Sequence, residues 1–169
     1  MSSASIYEKN GLFFYPIQKT DIPEIMPLLH SLGRTVERPE AVTATEEEIA
    51  ALVFEENPAA IGFVARDKEG RLMGYSLLAR AFSSFKAKKI LYIEDIVISE
   101  AARGTGAGKT YMSFLADYAL KNDYMAMQWL AEAANKNAIS FYGYLGAEKE
   151  EGPVHFWADA PILKKFQAF

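Results

Sequence analysis

An apolar run from Ile90 to Ile98 is followed by Arg103-Gly104-Thr105-Gly106-Ala107-Gly108-Lys109, then by an amphipathic run with Tyr111, Phe114, Leu115 and Tyr118 at helical spacing. Strand, glycine-rich turn and helix in that order constrain the chain more than any other segment. Glycines let a backbone turn tightly and approach a ligand closely. The first amides of a helix lack intrahelical acceptors and lie at the positive end of its dipole. Together they form an anion site that suits a pyrophosphate. Arg103 and Lys109 add two cations.

Spacing separates the turns that hold phosphates in this way. A Walker A loop reads G-x-x-x-x-G-K-[ST]. Gly108-Lys109-Thr110 supplies its end, but Arg103 stands where the opening glycine is required. An ATP-binding reading therefore loses at that position. A dinucleotide fingerprint reads G-x-G-x-x-G and belongs to a first strand. Gly104 and Gly106 fit it, but Lys109 takes the third glycine's place and much of the chain precedes the turn. A third pattern, [RQ]-x-x-G-x-[GA], is matched in full by Arg103 to Gly108.

With that pattern the chain resembles the GNAT superfamily of N-acetyltransferases, whose acetyl-coenzyme A pyrophosphate sits on this turn. Two more segments carry the resemblance. Asn135-Lys-Asn-Ala-Ile-Ser-Phe-Tyr142, followed by Gly146-Ala147, is similar to the family's later N-x-x-[AS]-x-x-[FL]-Y segment. Tyr92-Ile-Glu94-Asp95 is similar to the Y-[LI]-E-D strand of the diamine branch, the spermidine/spermine and thialysine acetyltransferases. The resemblance covers roughly Leu12 to Trp157. It implies an α/β (α+β) fold, with a mixed, mostly antiparallel central sheet flanked by helices and splayed central strands that bind acetyl-CoA.

The pass along the chain gives a compatible order. Leu12 to Ile17 reads as a strand, and residues 1–10 as a flexible start to a single domain of 1–169. Thr20 or Asp21 caps a helix with Pro23 in its first turn and a stripe of Ile22, Ile25, Met26, Leu29 and Leu32. Pro27 should kink it. Thr43-Ala-Thr-Glu46 reads as a capping box for a second helix, with Ile49, Leu52 and Val53 inward. Ala60–Arg66 and Leu72–Ala81 read as strands joined by the turn Asp67–Gly70. Met125–Ala131 is a strand, Asn135–Leu145 a short helix, and Val154–Ala158 a closing strand. The tail from Pro161 carries Ile162, Leu163, Phe166 and Phe169, as a packed tail or a dimer contact would require.

Acetyl transfer to an amine needs a base, oxyanion donors and an acid for the thiolate. An alkylammonium, with a pKa of about 10.4, must first lose a proton. Glu94 is the candidate base, because an ionised carboxylate in an apolar strand is costly unless used or paired. Pairing with Lys88 or Lys89 is the structural alternative. Strand alternation places Glu94 with Tyr92 and Ile96, and Asp95 on the other face with Ile93 and Val97, unless a bulge intervenes. Asp95 and Glu151 are candidate substrate contacts. The resemblance implies that Tyr142 is the acid, and that main-chain groups of Ile96, Val97 and Ile98 hold the pantetheine arm. It also implies that Asn135 contacts the arm, a role compatible with capping a helix. Lys136 and Lys109 reach phosphate or are solvated. The cofactor-binding set is therefore Ile96, Val97, Ile98, Arg103, Gly104, Thr105, Gly106, Ala107, Gly108, Lys109 and Asn135.

Composition narrows the partners. The net charge of −4 argues against nucleic acid as the main partner. The absence of cysteine excludes disulfides, thiolate metal sites and a cysteine nucleophile, and His30 and His155 make no recognisable metal site. No uninterrupted apolar run is long enough for a membrane span. The reading is a cytoplasmic enzyme, a homodimer by family resemblance, that uses acetyl-CoA and no metal. It departs from the polyamine branch at three places. Ser84 stands for an aspartate, Thr35-Val36 for a tyrosine–glutamate pair, and Glu150-Glu151-Gly152-Pro153 ends without the branch's tryptophan. A short diamine, a lysine-like amino acid or an amino-bearing antibiotic fits this acceptor. Peptide N-acetylation and a non-catalytic CoA-binding domain are the alternatives.

Overall fold

The computed structural model describes residues 4–152 and 154–167, so Pro153 and Phe169 of the sequence reading lie outside the described residues. The chain groups into two compact units, 1–136 and 137–169.

The first unit is built on a six-stranded sheet in chain order. Its strands are β1 (Tyr7–Lys9), β2 (Leu12–Pro16), β3 (Ile61–Arg66), β4 (Leu72–Ser83), β5 (Lys88–Ile98) and β6 (Tyr124–Trp129). All neighbours are antiparallel except β5 and β6, which are parallel. Helices α1 (Ile22–Thr35) and α2 (Glu46–Phe54) precede β3, and α3 (Ala107–Lys121) connects β5 to β6.

The sequence reading began the fold at Leu12, yet Tyr7–Lys9 already pairs with β2. Asn10 and Gly11 both have positive φ, 52° and 75°, which is the two-residue turn that an Asn-Gly pair favours in hairpins. The turn is fastened to α3, because Asn10 Nδ2 donates to buried Thr110 Oγ1 at 3.0 Å.

The two sheet faces bury different side chains. On one, Ile22 and Ile25 of α1 and Ile49 of α2 pack with Ile17, Val64, Tyr75, Leu77 and Val97. On the other, α3 packs aromatic rings against the sheet. Phe14 stacks on Phe114 with centroids 4.4 Å apart, and Phe63 meets the same ring edge-on at 5.0 Å. Each such pair adds about 0.5–1.5 kcal/mol beyond its buried area. Arg66 ties β3 to the start of α1 through Asp21 at 2.7 Å and Glu24 at 2.9 Å. The hydrogen bond to Glu24, then that to Asp21, holds the guanidinium's pKa above its ordinary value against a lowering by burial.

Local expectations for α2 and for the second unit are corrected. The cap of α2 is Thr45, whose hydroxyl accepts from Glu48 N while Glu48 returns a bond to Thr45 N. The box at Thr43–Glu46 lies two residues too early. Within α2 only Ile49 is buried, and Leu52 is 44% exposed. In the second unit, Val154–Ala158 forms no strand, and Val154, Phe156 and Trp157 are exposed. Residues 159–167 form instead a short helix, α5 (Ala160–Phe166), capped by the Asp159 carboxylate. Pro27 lies inside α1, which is helical on both sides of it.

Candidate active site

The centre of the first unit is the C-terminal half of β5. Lys89–Ile93 pairs with β4 on one side and β6 on the other. Beyond Ile93 the ladder to β6 stops, while pairing to β4 continues to Ile98. One edge of the segment 94–98 is thereby released from the sheet, and Ile96, Val97 and Ile98 lie along it. The main-chain groups of this segment that point away from β4 can be met by an extended ligand in the manner of an added strand, apart from the Ile98 carbonyl, which accepts from Arg103. Gly74 on β4 sets how closely the other edge is held. A Cβ there would come within 2.6 Å of the Val97 carbonyl oxygen.

The glycine turn follows directly. Gly104 and Gly106 have φ of 75° and 88°, left-handed conformations in which glycine carries no side-chain penalty. Gly106 is the N-cap of α3, and its carbonyl accepts from Thr110 N at 3.0 Å. Helix geometry leaves the Ala107 and Gly108 amides without intrahelical acceptors. Buried Ala102 and Ala107 anchor the two ends of the turn. Thr105 Oγ1 donates to the Ala102 carbonyl at 2.7 Å, and Arg103 Nε donates to the Ile98 carbonyl at 3.3 Å. These two side chains therefore brace the turn onto β5, in addition to any role toward a ligand. Lys109 is exposed on the first turn of α3. The site presents amide donors and cations to an anion, next to a strand edge open to a linear chain.

The carboxylates adjoin this edge, and their arrangement overturns one expectation. Leu77 pairs with Asp95 and Leu78 pairs with Ile93, so Glu94 is the extra residue of a β-bulge. Cross-strand partners share a face. Tyr92, opposite Ala79, and Asp95, opposite Leu77, therefore both lie on the α1/α2 face. The regular alternation that separated Glu94 from Asp95 is broken at this point. Glu94 is exposed and carries charge beside both neighbours. Burial raises the Tyr92 phenol and the Glu94 charge raises it further. Asp95 is pushed up to about 6, by burial first and by the Glu94 charge second, while a bond from Tyr75 opposes the rise. The Tyr75 hydroxyl donates to Asp95 Oδ2 at 3.4 Å.

Lys89 donates to the Asn122 carbonyl and sits over the Tyr124 ring. Among the described residues neither Lys88 nor Lys89 pairs with Glu94. Sequence reasoning missed Tyr75. Its hydroxyl in an apolar strand was the visible signal, but only the register shows which carboxylate it meets. Asn135 precedes α4 (Lys136–Tyr144), and its amide donates to the Glu132 carbonyl at 2.8 Å.

In the second unit, Tyr142 lies on α4, and burial raises its phenol, which keeps the proton in place through neutral pH. Gly146, at φ 86°, and the bonds Ala147 N to Tyr142 O and Gly146 N to Gly143 O close α4 in a Schellman-type ending. Glu151 is exposed, 3.8 Å from Lys149. A separate open groove of about 770 Å³ lies by β2 and β3, lined by Tyr15, Phe54 and Val64 with Asp21 and Arg66. Of its charged groups, Asp21 and Arg66 are already paired with each other, and Lys19 lies over the Phe54 ring.

A family model described as the acetyltransferase (GNAT) family matches residues 25–147. The chain belongs to this family. GNAT acetyltransferases use acetyl-CoA as co-substrate, so the enzyme class is acyl transfer. The chain is 28% identical over 142 residues to an uncharacterised N-acetyltransferase of Bacillus subtilis, covering 84% of this chain and 93% of the relative. It is also 28% identical to the thialysine N-epsilon-acetyltransferase of Mus musculus over 158 residues, 88% of this chain and 92% of that protein. Among solved structures, an integron cassette protein from the mobile metagenome of V. cholerae superposes with a TM-score of 0.76. That match has 22% identity, covers 94% and 99% of the two chains, and is a likeness of fold. The GNAT sheet expected from the sequence, mixed and mostly antiparallel with splayed central strands, is the one observed.

Proposed function

We propose that this GNAT enzyme transfers the acetyl group of acetyl-CoA to a primary amine of a small molecule, a diamine or a lysine-like amino acid. The observation that carries the reading is the bulge at Glu94, which gathers two carboxylates beside the released edge of β5. A paired carboxylate site suits a compact cation. The likeness to a thialysine acetyltransferase points the same way.

In this reading the amides of Ala107 and Gly108, with Gly104, Thr105, Gly106, Arg103 and Lys109, hold the pyrophosphate. The main chain of Ile96, Val97 and Ile98 receives the pantetheine arm, with Asn135 beside it. Glu94 relays the amine's proton outward, Asp95 and Glu151 contact the substrate, and the Tyr142 phenol protonates the departing thiolate. The protein acts as a cytoplasmic homodimer of a single 1–169 domain. The half-exposed Leu163 and Phe166 of α5 suit a contact between copies.

The test is thiol release from acetyl-CoA over a panel of diamines, lysine analogues, aminoglycosides and peptides. Turnover on diamines or lysine analogues supports the reading. Turnover confined to peptides shifts the acceptor to protein amines. Tight acetyl-CoA binding with no turnover leaves a CoA-binding regulatory domain. Light scattering reads the oligomer.

A further inference from the structure

The sequence singled out Glu94 as the base, but the fold gives Asp95 the more specialised surroundings. Glu94 is exposed, and among the described residues no hydrogen-bond donor is assigned to its carboxylate. Asp95 faces the α1/α2 core with Tyr75, Leu77 and Val97, and its carboxylate takes a bond from a hydroxyl that is itself fully buried. Tyr75 is held by the close pairing of Gly74 with Ile98 and of Tyr75 with Val97.

We infer that Asp95 is the proton acceptor for the amine, and that Tyr75 is a positioning residue that fixes its carboxylate through the hydroxyl–carboxylate bond. This rests on the amine-acetylation reading above. The substrate's ammonium N–H bond breaks, an O–H bond forms on Asp95, and the electron pair stays on nitrogen. Nitrogen then bonds to the thioester carbonyl carbon and the C–S electron pair leaves with sulfur, which takes the Tyr142 phenol proton; the second proton that nitrogen sheds on becoming an amide returns to the Tyr142 phenolate, so that one proton in all is left on Asp95. Asp95 passes its proton to exposed Glu94 and so to solvent, which restores the carboxylate.

The groups acting on Asp95 are few. Glu94 on its own strand disfavours its ionised form, and Tyr75 of β4 favours it. Tyr92 neighbours Glu94, and Tyr111 of α3 acts on Tyr75. The Tyr111 hydroxyl is itself engaged with the Phe63 carbonyl at 3.0 Å and Ser76 Oγ at 3.2 Å. Among the described residues no charge on α1, α2 or α3 adds to these on Asp95. A carboxyl that titrates near working pH is better matched to general-base work than one ionised far below it.

The test compares wild type with Tyr75→Phe, Asp95→Asn and Glu94→Gln. The first readout is the pH profile of kcat/KM. Tyr75→Phe keeps the ring and removes the donor, so the acidic limb should move up by about 0.5–1 pH unit. Asp95→Asn should abolish that limb and lower turnover by about 100-fold or more. Glu94→Gln should lower the limb, since it removes the charge that raises Asp95. The second readout needs no substrate: carboxyl-carbon NMR should place the Asp95 midpoint near 6 and raise it in Tyr75→Phe.

An unmoved limb in Tyr75→Phe, or full turnover by Asp95→Asn, overturns the inference. So does an Asp95 midpoint that Tyr75→Phe leaves in place. If wild type binds acetyl-CoA but turns over no amine, the acceptor role falls together with the amine reading. The Tyr75–Asp95 pairing is judged by the titration alone.

Discussion

The two halves of β5 are one strand in two different environments. From Lys89 to Ile93 it is paired on both sides, in unbroken register with β4 and with one shift against β6 after Lys89, and it buries Leu91 and Ile93 almost completely. From Glu94 to Ile98 it starts with a bulge, loses β6 and keeps a single ladder. The first half resembles any interior strand. The second exposes main-chain donors and acceptors and brings two carboxylates together. Two-sided pairing and a one-sided, open edge thus meet within one strand and divide at Glu94, where a bulge interrupts the β4 ladder and the β6 ladder ends.

Substitutions can break this division. The largest expected effect on stability is in the paired half. Leu91→Ala removes a fully buried side chain and should cost about 2–5 kcal/mol in chemical denaturation. The increment in melting temperature that acetyl-CoA produces should survive it. Loss of that increment would mean that the halves are not separable.

Gly74→Ala tests the other half. Its Cβ meets the Val97 carbonyl, so β4 and β5 must part there, at about 1–3 kcal/mol. Thermal shift with acetyl-CoA should then fall well below wild type, whereas Leu91→Ala spares it. Equal ligand shifts in the two variants would place the binding edge elsewhere.

Asp95→Asn sharpens the contrast, since it should stabilise the protein while removing activity. Burial, and after it the Glu94 charge, pushes the Asp95 carboxyl up to about 6 from its ordinary 3.8, so the folded form binds the proton more tightly. The resulting penalty is absent below about pH 4, grows as pH rises toward 6 and is complete above it. Urea denaturation at pH 7.5 should show a gain on the order of 2 kcal/mol for Asp95→Asn, and at pH 4 almost none. A loss of stability at pH 7.5 would show that the carboxylate is held more favourably than its surroundings indicate.

The smallest effect lies at the hairpin that opens the paired half. Ala87 has φ of 49°, a conformation that costs a residue with a Cβ about 1 kcal/mol. Ala87→Gly should raise stability by several tenths of a kcal/mol and leave the acetyl-CoA shift unchanged. A changed shift would link the hairpin tip to the site.

Local chemistry made much of this legible from the chain. Gly104 and Gly106 occupy left-handed positions that few other residues tolerate, so the glycine turn between β5 and α3 was readable from spacing. Helices α1 and α3 and strands β3 to β6 carry periodic apolar patterns and appeared within a few residues of their observed bounds. The Asn10-Gly11 turn was equally local, and reading it would have found β1. The Val154–Ala158 segment has strand-like composition, but composition cannot supply the neighbour that a strand needs.

By itself the sequence determined the glycine turn that matches the family pattern, the apolar strand before it and the two acidic residues within that strand. These depend on residue types at fixed short spacing. Only the tertiary structure decided that Glu94 is a bulge, that Tyr92 and Asp95 share a face, and that Tyr75 meets the Asp95 carboxylate. Register is a property of two strands twenty residues apart in the chain. A slip of one residue in β5 against β4 reassigns every side chain beyond it to the opposite face.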